Sequence, residues 1–228
     1  MLYMPFDFLY LILVLPAFLF CIWAQTRVSG SFKKYSAVRT ANGLTGAQAA
    51  MAVLKQNGIT NVSIEQIGGT LTDHFDPRSN VIRLSSAVCN SASVAAVGVA
   101  AHEAGHAVQY AIGYAPMKVR TAIIPITNIG SKLSVPLVIL GIILGLTGLI
   151  NIGILLFGVV AIFQLVTLPV EFNASRRAIV TLKSSGLLSE SEIPGVKKIL
   201  SAAALTYVGA LALSLAQLIR FIAISRRR

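Results

Sequence analysis

The chain has 228 residues, 55% of them hydrophobic and only 12% charged, with a net charge of +11 and a mean hydropathy of +0.77. That balance excludes an ordinary soluble domain and points to a membrane protein. The positive charge does not point to nucleic acid, because the basic residues flank apolar runs and no aromatic-basic recognition module accompanies them.

Four apolar runs organise the chain: Phe8–Ala24, Leu133–Ile150, Ile152–Val170 and Ile199–Ile219. Each comes near the ~20 residues needed to cross a hydrocarbon core. The first differs from a secretory signal. It follows Asp7 rather than a basic leader and has no small-residue cleavage site before Gln25-Thr26-Arg27, so a retained anchor is expected. Basic groups sit on the flanks: Arg27, Lys33, Lys34 and Arg39, then Lys118, Arg120 and Lys132, then Arg176, Arg177 and Lys183. The positive-inside rule places all three groups in the cytoplasm, with a hairpin turn at Asn151 on the opposite side. The fourth run is read as a span, although crossing would put Arg226-Arg227-Arg228 outside, against that rule.

The stretch between the first two spans is the part able to fold in water. Residues Thr26–Asn42 read as a basic, flexible lead-in. Thr45-Gly46-Ala47-Gln48 fits a capping box that opens a helix running to Gly58. Val62–Ile67 alternates apolar and polar residues like a half-buried strand and turns at Gly68-Gly69. Asp76–Asn80 reads as a second turn, and Val81–Ser85 as another short strand. Ser91-Ala92-Ser93 then offers a serine cap to an alanine-rich helix that stops at Gly113. The two cysteines, Cys21 and Cys89, are too few and too far apart for a disulfide framework and read as apolar filler.

That last helix carries His102-Glu103-Ala104-Gly105-His106, in a chain with only three histidines. Residues four apart share a helix face, about 5.4 Å along the axis, so His102 and His106 can grip one zinc ion. Glu103, beside the first histidine, then reaches a water on the metal as general base. A catalytic zinc usually has three protein ligands, and with no further useful histidine or cysteine the third should be a carboxylate. The choices besides Glu103 are Asp7, Glu65, Asp73, Asp76, Glu171, Glu190 and Glu192. Chain topology favours Glu171, since two crossings after His106 return the chain to the same side. Pro169 would mark a fresh helix start there, with the helix ending near Gly186. The bland alternative makes Glu171 an interfacial partner of Arg176 or Arg177.

Three segments together resemble the bacterial YugP-type membrane zinc metallopeptidases: Asp73-His74-Phe75-Asp76-Pro77, Ala101–Gln109 and Leu168–Ala178. The resemblance covers nearly the whole chain, including Ala203–Val208. These proteins are similar in pattern to HtpX-like and CAAX-processing gluzincins, whose third ligand is the glutamate of a Glu-x-x-Ala-Asp helix. Here Ser175 stands in place of that aspartate, which in those relatives supports a metal histidine. Phe75 stands where tyrosine is more usual. The motif is also similar to that of FtsH-type proteases. Those need an ATPase, however, and the chain contains no Gly-x-x-x-x-Gly-Lys-Ser/Thr.

The resemblance implies a mainly α membrane protein with about four transmembrane helices and a small α+β zincin-like cytoplasmic domain. The expected division is an anchor (1–25), a catalytic region (26–118), a transmembrane hairpin (119–170), a third-ligand helix and loop (171–198) and a last membrane helix with a basic tail (199–228). The expected activity is Zn2+-dependent peptide hydrolysis, with His102, His106 and Glu171 on the metal and Glu103 as base. Ser175 is a supporting residue, and His74 is either an oxyanion donor or part of a turn. The expected partners are the bilayer and a peptide or protein substrate, without ATP or nucleic acid. The competing reading is a polytopic scaffold or transporter holding zinc structurally. It finds no acidic residue at mid-span and no paired broken helices, and it has no use for Glu103. The Val81–Leu84 strand is the expected edge for an extended substrate.

Overall fold

The computed structural model describes residues 8–226; Asp7, Arg227 and Arg228 lie outside the described residues. In chain order the elements are α1 (Leu15–Ser36), α2 (Gly46–Gln56), β1 (Ser63–Ile67), β2 (His74–Asp76), β3 (Val81–Ser85), α3 (Ser86–Cys89), α4 (Val94–Ala111), α5 (Ala115–Leu144), α6 (Thr147–Ser184) and α7 (Ile193–Arg226). A π-helical stretch, Tyr10–Val14, leads into α1. The chain divides into two compact units: one of residues 8–24, Val119–Leu168 and 205–226, the other of Gln25–Lys118 and Pro169–Ala204.

The first unit holds the apolar windows of four helices long enough to cross a membrane: Tyr10–Ser36, Ala115–Leu144, Thr147–Ser184 and Ile193–Arg226. Glycines bring α5 and α6 together. A Cβ on Gly153 would meet the Ser134 carbonyl at 2.8 Å, and one on Gly130 the Leu156 carbonyl at 2.8 Å. Small residues at such positions are how apolar helices approach closely in lipid. Elsewhere in this unit Phe157 meets Phe221 edge-on at 5.3 Å.

The hairpin turn falls at Gly145-Leu146 rather than at Asn151. Gly145 takes a left-handed conformation (φ 68°) and ends α5, a role glycine fills without steric cost. Asn151 lies inside α6, and its Oδ1 accepts a hydrogen bond from the Ser225 hydroxyl at 3.0 Å. Pro169 does not start a new helix either: α6 runs unbroken through it. The missing N–H and ring clash cost a helix roughly 3 kcal/mol, which the packing of the flanking Val170, Ala174 and Ala178, all fully buried, can offset.

The second unit has a three-stranded sheet in the order β1-β3-β2, with β1 parallel and β2 antiparallel to β3. This corrects two expectations. The turn expected at Asp76–Asn80 forms at 77–80, but an unexpected strand precedes it, because His74–Asp76 pairs residue for residue with Val81–Arg83. The Val81–Ser85 strand is then the centre of the sheet and no edge, as its burial fits: Ile82 and Leu84 are fully enclosed. The lead-in is also more ordered than expected, since α1 continues to Ser36 and packs Phe32 and Tyr35 against the core. The α2 capping box forms as read, with Thr45 Oγ1 accepting from the Gln48 N–H and Gln48 Oε1 from the Thr45 N–H.

Helix α4 runs through the middle of this unit and buries almost its whole surface. Ser93 caps it by accepting from the Ala96 N–H at 3.2 Å, and Gly113 (φ 66°) ends it. Its small residues admit close neighbours. A Cβ on Gly98 would touch Val196 at 3.2 Å, and one on Gly105 would lie 2.7 Å from the Ala174 carbonyl.

Candidate metal centre

Two helix faces meet at Gly105. On α4, His102, Gly105, His106 and Gln109 follow the i, i+3, i+4, i+7 spacing of one face; on α6, Glu171, Ala174, Ser175 and Ala178 do the same. The missing Cβ of Gly105 lets the α6 backbone come against α4 at Ala174. One turn earlier on α6, Glu171 therefore reaches both histidines. Its Oε2 lies 3.2 Å from His102 Nε2 and 3.6 Å from His106 Nε2. The two imidazoles stand edge to face, with ring centroids 4.7 Å apart.

The ligand atoms of His102, His106 and Glu171 all lie within 4.8 Å of one another, and these three residues could hold a metal ion. Two imidazole nitrogens and a carboxylate oxygen make a donor set suited to zinc. At the ~2.0–2.2 Å bonds zinc makes, tetrahedral neighbours stand about 3.3–3.6 Å apart, close to the two His–Glu separations observed. Glu171 is only 2% exposed and His106 only 7%.

Glu103 is not one of these three. Its Oε2 accepts the Phe75 backbone N–H of β2 at 3.0 Å. Burial raises its pKa above the ordinary glutamate value; the two histidines oppose that rise and the Glu171 and Asp73 carboxylates add to it. At His106 burial pulls the pKa down, but the Glu171 carboxylate and Glu103 outweigh it, and the net shift is upward.

The other described acids are occupied away from these histidines. Asp73 accepts from the Ser85 N–H and hydroxyl, Asp76 from Arg83, Ser79 and the Arg78 N–H, and Glu65 pairs with Arg83. Glu190 pairs with Lys183, while Glu192 accepts from the Ala41 and Ser189 N–H groups. Ser175, the residue in place of the relatives' aspartate, stands with its Oγ 3.2 Å from His102 Nδ1. His74 is not in the metal group; it is exposed, with Nδ1 2.8 Å from the Thr72 carbonyl.

Sequence reasoning passed over Gln109 and Asn173 beside the centre and considered Arg177 at the site only as a partner of Glu171. Gln109 is fully buried, with Oε1 3.0 Å from His106 Nδ1; Asn173 and Arg177 continue the same hydrogen-bonded chain. The available signal was the position of Gln109, three residues after His106 on the same helix face.

The chain belongs to the family described as "putative neutral zinc metallopeptidase", which it matches over residues 10–226. Among curated proteins it is similar to the "putative membrane protease YugP" of Bacillus subtilis (strain 168), with 45% identity over 216 residues, 95% of this chain and 96% of that protein. The family resemblance read from the three sequence segments therefore holds. No solved structure matches the chain.

Proposed function

We propose that the protein is a multi-pass membrane zinc metalloendopeptidase that hydrolyses peptide bonds. The observation that carries this reading is the convergence of His102, His106 and Glu171 within 4.8 Å, with Glu103 on the next residue of the same helix. Zinc bound there would act as a Lewis acid toward the scissile carbonyl and lower the pKa of a water toward ~7.

The chain's own residues do the rest. His102, His106 and Glu171 are the ligands; Ser175 supports His102. Glu103 takes a proton from the attacking water as its oxygen adds to the carbonyl carbon, then delivers that proton to the amide nitrogen as the C–N bond breaks. The Phe75 N–H orients that carboxylate, and its burial favours picking up the proton. An extended peptide would pair along the outer edge of β2, the strand whose Phe75 N–H reaches Glu103, since β3 is covered on both sides. With no phosphate-binding loop in the chain, the substrate must already be short, extended or locally unfolded.

The site is proposed to face the cytoplasm, from the placement of the basic residues. Single cysteines at Ser91, Leu146 and Ser184, introduced after replacing Cys21 and Cys89, test this in intact cells. An impermeant reagent should label position 146 alone; labelling at 91 or 184 from outside would reverse the orientation. The activity itself is tested with purified protein, an unfolded reporter and a chelator. Cleavage that stops on chelation and returns with zinc supports the reading, and bound zinc without cleavage would favour a structural role.

A further inference from the structure

We infer that Gln109 is a positioning residue, which fixes the tautomer and orientation of His106 through a hydrogen-bonded chain tied to α6. The inference rests on the metal-centre reading of His102, His106 and Glu171. The chain runs Arg177–Asn173–Gln109–His106, and each link has one allowed direction. The Arg177 guanidinium can only donate, so Asn173 presents its Oδ1 to Arg177 Nε at 2.7 Å. That oxygen, and the Val170 carbonyl, can only accept. Gln109 Nε2 therefore donates to both, at 3.0 and 2.7 Å. The remaining atom of the amide, Oε1, must then face His106 Nδ1 at 3.0 Å, and an amide oxygen can only accept. His106 thus carries a hydrogen on Nδ1 and directs Nε2 toward Glu171, leaving Nε2 as the nitrogen that can serve a metal.

The two histidines differ in this respect. His102 Nδ1 meets the Ser175 hydroxyl, which can donate or accept and so specifies no tautomer. Gln109 is fully enclosed, and a buried amide is costly unless its hydrogen bonds are made. Its bonds both satisfy it and tie α4 to α6.

The test uses the purified full-length chain, with zinc affinity measured by chelator competition and the absorption spectrum of the cobalt(II)-substituted protein as a geometric readout. Gln109→Met keeps the volume and removes every bond; it should lower zinc affinity about 10–100-fold and change the cobalt spectrum. Gln109→Glu keeps an acceptor for the Nδ1 hydrogen but sets its second oxygen against the Val170 carbonyl and Asn173 Oδ1, so it too should lower zinc affinity. A Gln109→Met protein with wild-type affinity and spectrum, or a Gln109→Glu protein with wild-type affinity, would reduce Gln109 to a packing residue and overturn the inference. Should Gln109→Met fail to fold, Asn173→Ala removes one acceptor from a half-buried position. It should weaken zinc several-fold, and an unchanged affinity would overturn the inference equally. If instead the wild type binds no zinc, or His106→Ala binds as tightly as wild type, the metal-centre reading itself fails.

Discussion

Helices α4 and α5 have nearly the same apolar character and opposite surroundings. α4 is covered by its own unit, and 14 of its 18 residues are buried. In the apolar window of α5 only 28% of residues are buried, and Ile129, Leu133, Ile139, Leu140 and Ile143 are open. Apolar residues are tolerated in the first case because protein surrounds them, and in the second because lipid can. Their polar side chains divide in the same way. Thr127 and Ser131 on α5 bond back to their own helix carbonyls, as hydroxyls do where no water is at hand. On α4, Glu103 bonds to β2 and His102, His106 and Gln109 bond to or approach α6. The difference teaches where to look for chemistry in so apolar a chain: at the helix whose polar groups reach across to other elements.

The sharpest way to break this comparison is to remove Glu103, the acid of α4 proposed as the base. Glu103→Gln keeps the shape and the ligands, so zinc should stay near one per chain. Cleavage of an unfolded reporter should fall ~10²–10⁴-fold. Turnover above a hundredth of wild type would remove Glu103 from that role.

Glycines give the next largest contrast. Gly105→Ala would drive a Cβ to 2.7 Å from the Ala174 backbone, whereas Gly158→Ala in the apolar part of α6 meets nothing within 4 Å. Thermal unfolding should show Gly105→Ala less stable by about 1–3 kcal/mol, the usual cost of overpacking, with zinc weakened as α6 is pushed away. Gly158→Ala should stay within about 0.5 kcal/mol of wild type. Equal effects would deny that α4 is the tightly fitted element.

A pair of serines makes the finest test. Ser175→Ala removes the hydroxyl beside His102 Nδ1 and should lower zinc affinity by about tenfold, the smaller end of the range for groups that support a metal ligand. Ser131→Ala on α5 should leave zinc affinity unchanged, because that hydroxyl bonds only to the nearby Asn128 carbonyl. Chelator competition measures both.

The sequence was most legible where a rule is local. The spacing of His102 and His106, the serine cap and Gly113 define α4 without reference to anything else. The α2 capping box is equally self-contained. Glu171 was reachable only by weighing eight acids against the crossings of the chain and by the resemblance of Leu168–Ala178. The Gln109–Asn173–Arg177 chain was hidden because it depends on which α6 residues face α4, and Gly105 sets that contact through space. Local rules also misled. The turn at 77–80 was legible but the strand His74–Asp76 before it was not, since pairing with β3 makes it, and Pro169 reads as a helix start although buried neighbours carry α6 through it. The turn at Gly145 was masked because Asn151 is the more visible interruption of an apolar run.

The central claim is that α6 supplies the third ligand to the two histidines of α4. Zinc per chain, measured on purified protein after stringent dialysis, tests it most directly in the wild type, Glu171→Ala and Glu190→Ala. Glu190 makes a fair control, since it sits on the surface with Lys183. The account predicts close to one zinc for the wild type and Glu190→Ala, and a sharply lower content for Glu171→Ala. A Glu171→Ala protein that keeps its full zinc and still cleaves peptide would contradict it.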